Sequence, residues 1–344
     1  MKWLVTGGAG FIGTNVARRL LTDGHKVIVV DNLSRRGVRE NLQFLRENFE
    51  FDFIPGDVRD ADSLSQIFTS HRDTDVVIHL AAQVAVTDSI ANPANDFEIN
   101  AAGTFKLCEA IRNRVPDAIL LYASTNKVYG ALSHLNLVEG TTRYVLSDHP
   151  HGVSEKEPMD FYTPYGCSKG AAEQYVRDYA RSYGLRTISF RQSCIYGPHQ
   201  FGLEDQGWVA WFTIAAELGK ALKIYGNGKQ VRDLLFVEDL VECYLSAVAH
   251  IEHCNGEIYN IGGGPSNACS LLELIDHLQT LSGQQIKYSI EDWRPGDQRI
   301  FVCDVRKALD DFGWRPTTRM IEGLGRLSRW VHDSEAIIRR VIEG

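Results

Sequence analysis

Tyr165 and Lys169 stand four residues apart in Tyr165-Gly166-Cys167-Ser168-Lys169, a stretch that opens a helix running to about Tyr183. That spacing puts both side chains on one helix face. A free tyrosine, with a pKa near 10, is too weak a base at neutral pH. Lowering it by about three units takes roughly 4 kcal/mol of preferential stabilisation of the phenolate. A neighbouring ammonium supplies part of that; a second positive charge must supply the rest. Such a base would take a proton from a substrate hydroxyl, and Thr125, at the end of an apolar run, offers a hydroxyl to orient the same oxygen. Tyr and Lys at this spacing are ordinary surface residues on most helices, so the pair means something only beside a cofactor site.

The first thirty residues contain one. Lys2 to Thr6 is a short apolar strand, followed at once by Gly7-Gly8-Ala9-Gly10-Phe11-Ile12-Gly13. A helix follows from Asn15 to Leu21, and a second strand, Lys26 to Val30, ends in Asp31. Gly7 permits the tight turn, Gly10 lets the backbone approach a pyrophosphate, and Gly13 lets the helix lie close on the strand. The helix N-terminus offers free amides and a positive dipole end to phosphates. Asp31, 18 residues after Gly13, is placed to accept from adenosine ribose hydroxyls. A Walker loop fits less well, because Thr14 stands where its lysine belongs. Asp31 would repel a 2′-phosphate, which favours NAD over NADP, although Arg35 and Arg36 pull the other way. A bound nicotinamide is then the second positive charge that Tyr165 needs.

These residues require a frame, and the chain alternates in the way that builds one. Phe51–Pro55 reads as a strand, after which Asp57-Val58-Arg59-Asp60 opens a helix. Asp75–His79 is a strand running into Leu80-Ala81-Ala82, a helix from Pro93 to Arg112 contains Asn100, and Ala118–Ala123 is a strand ending at Ser124-Thr125. Strands alternating with helices predict an α/β fold, a doubly wound parallel sheet of the Rossmann type with ligand at the carboxyl ends of the strands. His79 is read as a packed strand residue. The expected division is a dinucleotide-binding domain over residues 1–190, with a segment near 232–258 returning to it, and a smaller α/β substrate lobe over 191–344. In that lobe Gly207–Leu218, Ser270–Leu281 and Thr318–His332 read as helices. Arg232 and Arg294, beside glycine- or proline-marked loops, are candidates to grip a diphosphate; pairing with Asp233 or Asp297 is the alternative. Residues 131–163 read as a long connection lining a sugar pocket or an oligomer contact. His149 and His151 lie there without a third ligand nearby, so no metal is expected.

Composition narrows the partners. The 344 residues carry 36 Lys and Arg against 44 Asp and Glu, a net charge of −8. A long-range field for nucleic acid is therefore not expected. No apolar stretch is long enough to span a membrane, and glycines break the N-terminal apolar run where a secretory signal would continue. Seven cysteines without a CxxC pair suit a reduced cytoplasmic protein.

Further motifs carry a resemblance. Asp31-Asn32-Leu33, Asp57, Leu80-Ala81-Ala82, Val128-Tyr129-Gly130, Tyr196-Gly197-Pro198, Arg232-Asp233, Asn260-Ile261-Gly262-Gly263 and Arg294-Pro295-Gly296-Asp297 join the glycine turn and the Tyr165/Lys169 pair. With these the chain resembles the extended short-chain dehydrogenase/reductases, the class of nucleotide-sugar epimerases and dehydratases. Ser124-Thr125-Asn126-Lys127, Pro164-Tyr165-Gly166-Cys167-Ser168-Lys169-Gly170, Asp205-Gln206-Gly207-Trp208 and Gly226–Asp233 are similar to the CDP-sugar 2-epimerases of that class. The resemblance implies Thr125, Tyr165 and Lys169 as catalytic residues. It implies NAD held by Gly7, Gly10, Phe11, Ile12, Gly13, Asp31, Asn32, Asp57, Val58, Leu80, Ala81, Ala82, Asn100, Ser124, Tyr165 and Lys169. A nucleotide-diphosphate sugar, CDP-sugar favoured, would meet Ser124, Thr125, Asn126, Gln192, Arg232 and Arg294. Cys194 occupies a position where the class often has a diphosphate-binding amide. The reaction implied is inversion at sugar carbon 2, in the supply of lipopolysaccharide O-antigen sugars. A UDP-sugar 4-epimerase and a 4,6-dehydratase are the alternatives, the latter disfavoured because dehydratases carry Asp-Glu where this chain has Asn126-Lys127. Retention of Tyr165 and Lys169 disfavours a non-catalytic NAD-responsive regulator. A homodimer or homotetramer is implied, packed through the helices bearing Tyr165 and Asn100, with Ala171, Ala172 and Ala180 allowing close approach.

Overall fold

The computed structural model describes residues 1–343. Its main sheet has seven parallel strands, in the spatial order Glu257–Ile261, Arg186–Gln192, Ile119–Thr125, Val76–His79, Lys2–Thr6, Lys26–Asp31, Asp52–Pro55. Side chains alternate across it. Val5, Val29, Ile78 and Leu121 point into one core, and Leu4, Ile28, Val77 and Leu120 into the other. Both faces are covered, which is why these strands read as unbroken apolar runs. The chain order reverses beside Lys2–Thr6, so the crevice outside the strand ends opens there.

The helix Phe11–Thr22 begins directly on Gly10. The segment Asp57-Val58-Arg59-Asp60 opens the next helix through its last residue. Asp60 caps Ala61–Ser70 by accepting from the Ser63 amide at 3.0 Å, and Asp57 stays in the loop. The helical stretch from Pro93 to Arg114 is interrupted by a π-turn over Glu98–Ala102, which contains Asn100. Helix Pro164–Tyr183 starts with Thr163 capping the Gly166 amide, puts proline in its first turn and ends on Gly184 in the left-handed conformation. Ala172 faces the chain's own core under the main sheet, so it does not offer itself to a partner as expected.

Beyond Gln192 the chain passes between two cores more than once. Val231–Phe236, carrying Arg232, belongs to a second sheet with Cys194–Tyr196, Ala268–Ser270 and Ile300–Phe301. The chain then returns to the first core with helix Val237–Ala249 and strand Glu257–Ile261, and once more with helix Arg306–Phe312. The second core gathers Phe212, Ile224, Leu234, Phe236, Leu274 and Leu327. Residues 131–163 are not a plain loop. Leu137–Glu139 pairs antiparallel with Tyr144–Leu146, and the hairpin straps onto the second lobe through Arg143 to Glu273, the Tyr144 amide to the Lys229 carbonyl at 3.0 Å, and Lys229 to Glu139 at 2.8 Å. Among the described residues no helix is long and apolar enough to cross a membrane.

Candidate active site

A cleft of about 480 Å³ opens at the carboxyl ends of the parallel strands, lined by the glycine turn, Asp31, Asn32, Asp57, Val58, Leu80–Ala82, Ser124, Tyr165, Lys169 and Gln192. Gly7 holds φ at +68°, as the turn requires. A Cβ on Gly13 would lie 2.4 Å from the Gly7 carbonyl oxygen, so only glycine lets the helix approach the strand. At Gly10 a Cβ would meet nothing nearer than that same oxygen at 3.1 Å and would fill the cleft instead. The first-turn amides of the Phe11–Thr22 helix lack intrahelical acceptors and form a ready anion cradle. Asp31 is fixed by the amides of Ala9 at 3.1 Å and Leu33 at 2.8 Å, while burial raises its pKa. Asp57 is chelated by Arg59 and receives Asn32 at 2.9 Å; the Arg59 bond holds its carboxyl well below the usual range. Glycine approach, free amides and an acid at the strand end fit a dinucleotide.

At the other end Thr125, Tyr165 and Lys169 are all nearly inaccessible to solvent. The Lys169 ammonium lies 4.3 Å from the Tyr122 ring centroid, and burial lowers its pKa to about 7. Burial also pushes the Tyr165 phenol up to about 12, partly offset by the neighbouring Thr125 hydroxyl. Burial thus acts against the charged form of both groups. Ser124 donates to Glu173 at 2.6 Å, and Glu173 forms a buried ion pair with Arg191 at 2.6 Å. Arg191 also donates to Tyr129, whose hydroxyl reaches Asn260. This network anchors the strand end that carries Thr125.

Several expected contacts lie elsewhere. Asn100 does not line the cleft. Its carboxamide is spent on the Gln83 amide and carbonyl, both at 2.9 Å, and on Asp96 and Ser168. It holds the loop after Ala82 from behind. Asn126 lies deep, donating to Gln298 at 3.2 Å, and Lys127 donates to the Gly296 carbonyl at 3.3 Å. Gln192 donates to Tyr244 at the cleft floor. Arg232 pairs with Asp297 at 2.7 Å, one of the two partners considered. Arg294 pairs with Asp205 at 3.0 Å and lies 3.8 Å over the Tyr225 ring. Cys194 is a half-buried thiol, its pKa pushed up to about 12 by burial. His79 is a packed residue between Thr6 and Thr104, with a pKa driven down to about 3 by burial. Sequence reasoning gave no role to Gln83, Asp88, Ile99 or Gln206, which complete the cleft. Arg35, whose charge spoke for a 2′-phosphate, lies over the cleft facing Asp31, Asp88 and Tyr165. Its side chain is exposed.

A second cavity, about 580 Å³, lies by Ser154–Lys156, Glu257 and Arg306–Asp311. Its acids and bases are mixed and none of the hydroxyl or ammonium groups around Tyr165 lines it, so chemistry assigns the site to the strand-end cleft. Among the described residues no three His, Cys, Asp or Glu side chains gather as a metal site.

Known proteins share this arrangement. The model of the NAD dependent epimerase/dehydratase family matches residues 3–262. CDP-paratose 2-epimerase of Salmonella typhi is 43% identical over 335 residues, covering 96% of this chain and 99% of that protein. The UDP-glucose 4-epimerase of Thermotoga maritima, solved with UDP-glucose, superposes with a TM-score of 0.83 at 33% identity, covering 97% of this chain and 100% of the other. A dTDP-glucose 4,6-dehydratase from Streptomyces venezuelae, solved with NAD bound, gives 0.84 at 29% identity over 99% and 100% of the two chains. A family pattern that begins in the first strand and ends just beyond the last strand of the main sheet, with relatives alike over nearly their whole length, leaves one reading: the chain belongs to the NAD dependent epimerase/dehydratase family.

Proposed function

We propose that the chain is an NAD-dependent CDP-sugar 2-epimerase of the CDP-paratose 2-epimerase kind. The observation that carries an epimerase is the strand end itself. Thr125 and Tyr165 meet there, and Asn126 and Lys127 follow with no carboxylic acid between them. Of the acids that act on Tyr165 or Lys169, Glu173 is tied to Arg191, and Asp96 is buried with both oxygens taken up by Ser168, Asn100 and Gln83. Elimination would need a further free acid or base. The choice of CDP and of carbon 2 rests on the Salmonella relative; likeness to UDP-glucose 4-epimerase supports the alternative of a UDP-sugar and carbon 4.

In this reading Gly7, Gly10, Gly13, the Phe11–Ile12 amides, Asp31, Asn32, Asp57, Val58, Leu80, Ala81 and Ala82 hold NAD. When bound, NAD supplies a positive charge, an acceptor for the hydride of the sugar carbon and, later, its donor. Thr125 orients the sugar hydroxyl. Tyr165 takes its proton as the carbon is oxidised, and Lys169 steadies the phenolate. The flat keto sugar then turns over in the pocket, and Tyr165 returns the proton to the oxygen once the other face has been reduced. Arg232 and Arg294 receive the diphosphate. The enzyme works as a homo-oligomer: Phe97, Phe105, Tyr175 and Tyr183 remain exposed along the two helices expected at the partner contact. Seven free thiols support a cytoplasmic setting, where it would serve O-antigen sugar synthesis.

The test is incubation with CDP-, UDP- and dTDP-sugars, with products identified by NMR. A CDP-sugar deuterated at carbon 2 should give the 2-epimer with the label kept. Label washed into water would exclude hydride transfer, and a 4-epimer or a 4-keto-6-deoxy product would overturn the assignment.

A further inference from the structure

The mechanism above leaves one buried ionisable group in contact with the catalytic helix unused. Asp96 is 1% exposed and lies in the short helix Pro93–Phe97, directly before the π-turn. One of its oxygens accepts from the Ser168 hydroxyl at 2.5 Å. The other accepts from Asn100 at 3.1 Å and Gln83 at 3.2 Å. All three donors are neutral. Ser168 sits between Tyr165 and Lys169 on their helix, and its hydroxyl also reaches the Tyr165 carbonyl at 3.2 Å. Burying a carboxylate against neutral donors is costly compared with burying an amide of the same shape. The charge itself therefore calls for an explanation, and both catalytic groups feel it.

We propose that Asp96 is a positioning residue whose buried carboxylate grips Ser168 and sets the pH range in which the Tyr165–Lys169 pair works. This rests on the reading of that pair as the epimerase base and its ammonium. Around Lys169 the other groups are Glu173 on its own helix, tied to Arg191 and Ser124; His79 on the neighbouring strand, neutral; and the Tyr122 ring. Arg35 faces Tyr165 from across the cleft.

The sign follows from charge alone. A fixed negative charge favours the protonated form of every neighbour. Asp96 keeps a proton on Lys169 against the burial that would remove it, and it also holds the proton on Tyr165. Activity needs a deprotonated phenol and a charged lysine, so both limbs of a bell-shaped profile are displaced upward in pH by the same residue.

Asp96→Asn tests this. The carboxamide keeps the shape, accepts from Asn100 and Gln83, and donates to Ser168, whose hydroxyl then turns to the Tyr165 carbonyl. We expect both limbs of the kcat profile to move to lower pH, by about one unit, with NAD retained. A profile of unchanged position and reduced height would mean a merely structural role and would overturn the proposal. If the variant does not fold, the wild-type protein decides. Carbon-13 NMR of the Asp96 carboxyl should show it ionised throughout the active pH range; a neutral acid there would overturn the proposal as well. Failure of the underlying reading looks different: a wild-type protein without a bell-shaped profile, or a Tyr165→Phe variant that remains active.

Discussion

The strand-end cleft and the arginines that lie outside its lining are prepared in opposite ways. On the glycine-turn side the recognition groups are backbone amides and carboxylates pinned by short local bonds, such as Asp31 on Ala9 and Leu33. The glycine-turn amides are open to a dinucleotide, although Asp57 is already held by Arg59 and Asn32. On the other side the cations are already occupied. Arg232 holds Asp297, and Arg294 holds Asp205 while stacking on Tyr225. On the proposed function a diphosphate would displace these partners, so its affinity would be a difference between two sets of ion pairs. The first arrangement suits a cofactor that stays bound through every turnover. The second suits a substrate that must be recognised and then released.

The comparison breaks most clearly at Tyr165. Tyr165→Phe should keep the fold and the bound NAD yet lose roughly 10²- to 10⁴-fold in kcat; cofactor content after denaturation and a steady-state assay measure the two. If NAD were lost together with activity, the halves would not be separable. Next in size is Arg232→Ala, expected to raise KM for the nucleotide sugar by about ten- to a hundredfold, the worth of hydrogen bonds to a charged group. Its NAD content should be unchanged, and a fall would show that the substrate arginine also supports the cofactor half. Thr125→Val should lower kcat by roughly tenfold or less, since it removes one orienting hydrogen bond and leaves the base in place. The smallest effect sharpens the idea of occupied cations. Asp205→Asn frees Arg294 from an exposed partner and should lower KM by at most about fivefold, in line with the small worth of surface ion pairs. A raised KM would mean that Asp205 helps the substrate rather than competing with it.

The prepared half was also the legible half. Its groups follow one another within a few residues, and each has a local reason: a positive φ at Gly7, a close approach at Gly13, an acid at the end of the next strand. The long alternating strands could be read for the same reason. The hairpin at residues 137–146 escaped because its strands are three residues long, shorter than any periodicity can reveal, and its partners lie near residues 229 and 273. The π-turn at Glu98–Ala102 has no sequence mark, and it sets Asn100 against Gln83, Asp96 and Ser168 instead of the cleft. The tyrosine's proton affinity could not be read either, because burial of Tyr165 and Lys169 depends on strands and helices remote in the chain.

The position of Glu257–Ile261 at one edge of the main sheet has a consequence for synthesis. Its neighbour, Arg186–Gln192, is translated long before it. Until residue 261 clears the ribosome, the nascent protein presents Arg186–Gln192 as an open, largely apolar edge, the kind of surface that joins other chains. A fragment ending near residue 190 would carry that edge permanently and should aggregate. The main sheet is thus completed only after part of the second lobe has been made, and the two are committed to mature together.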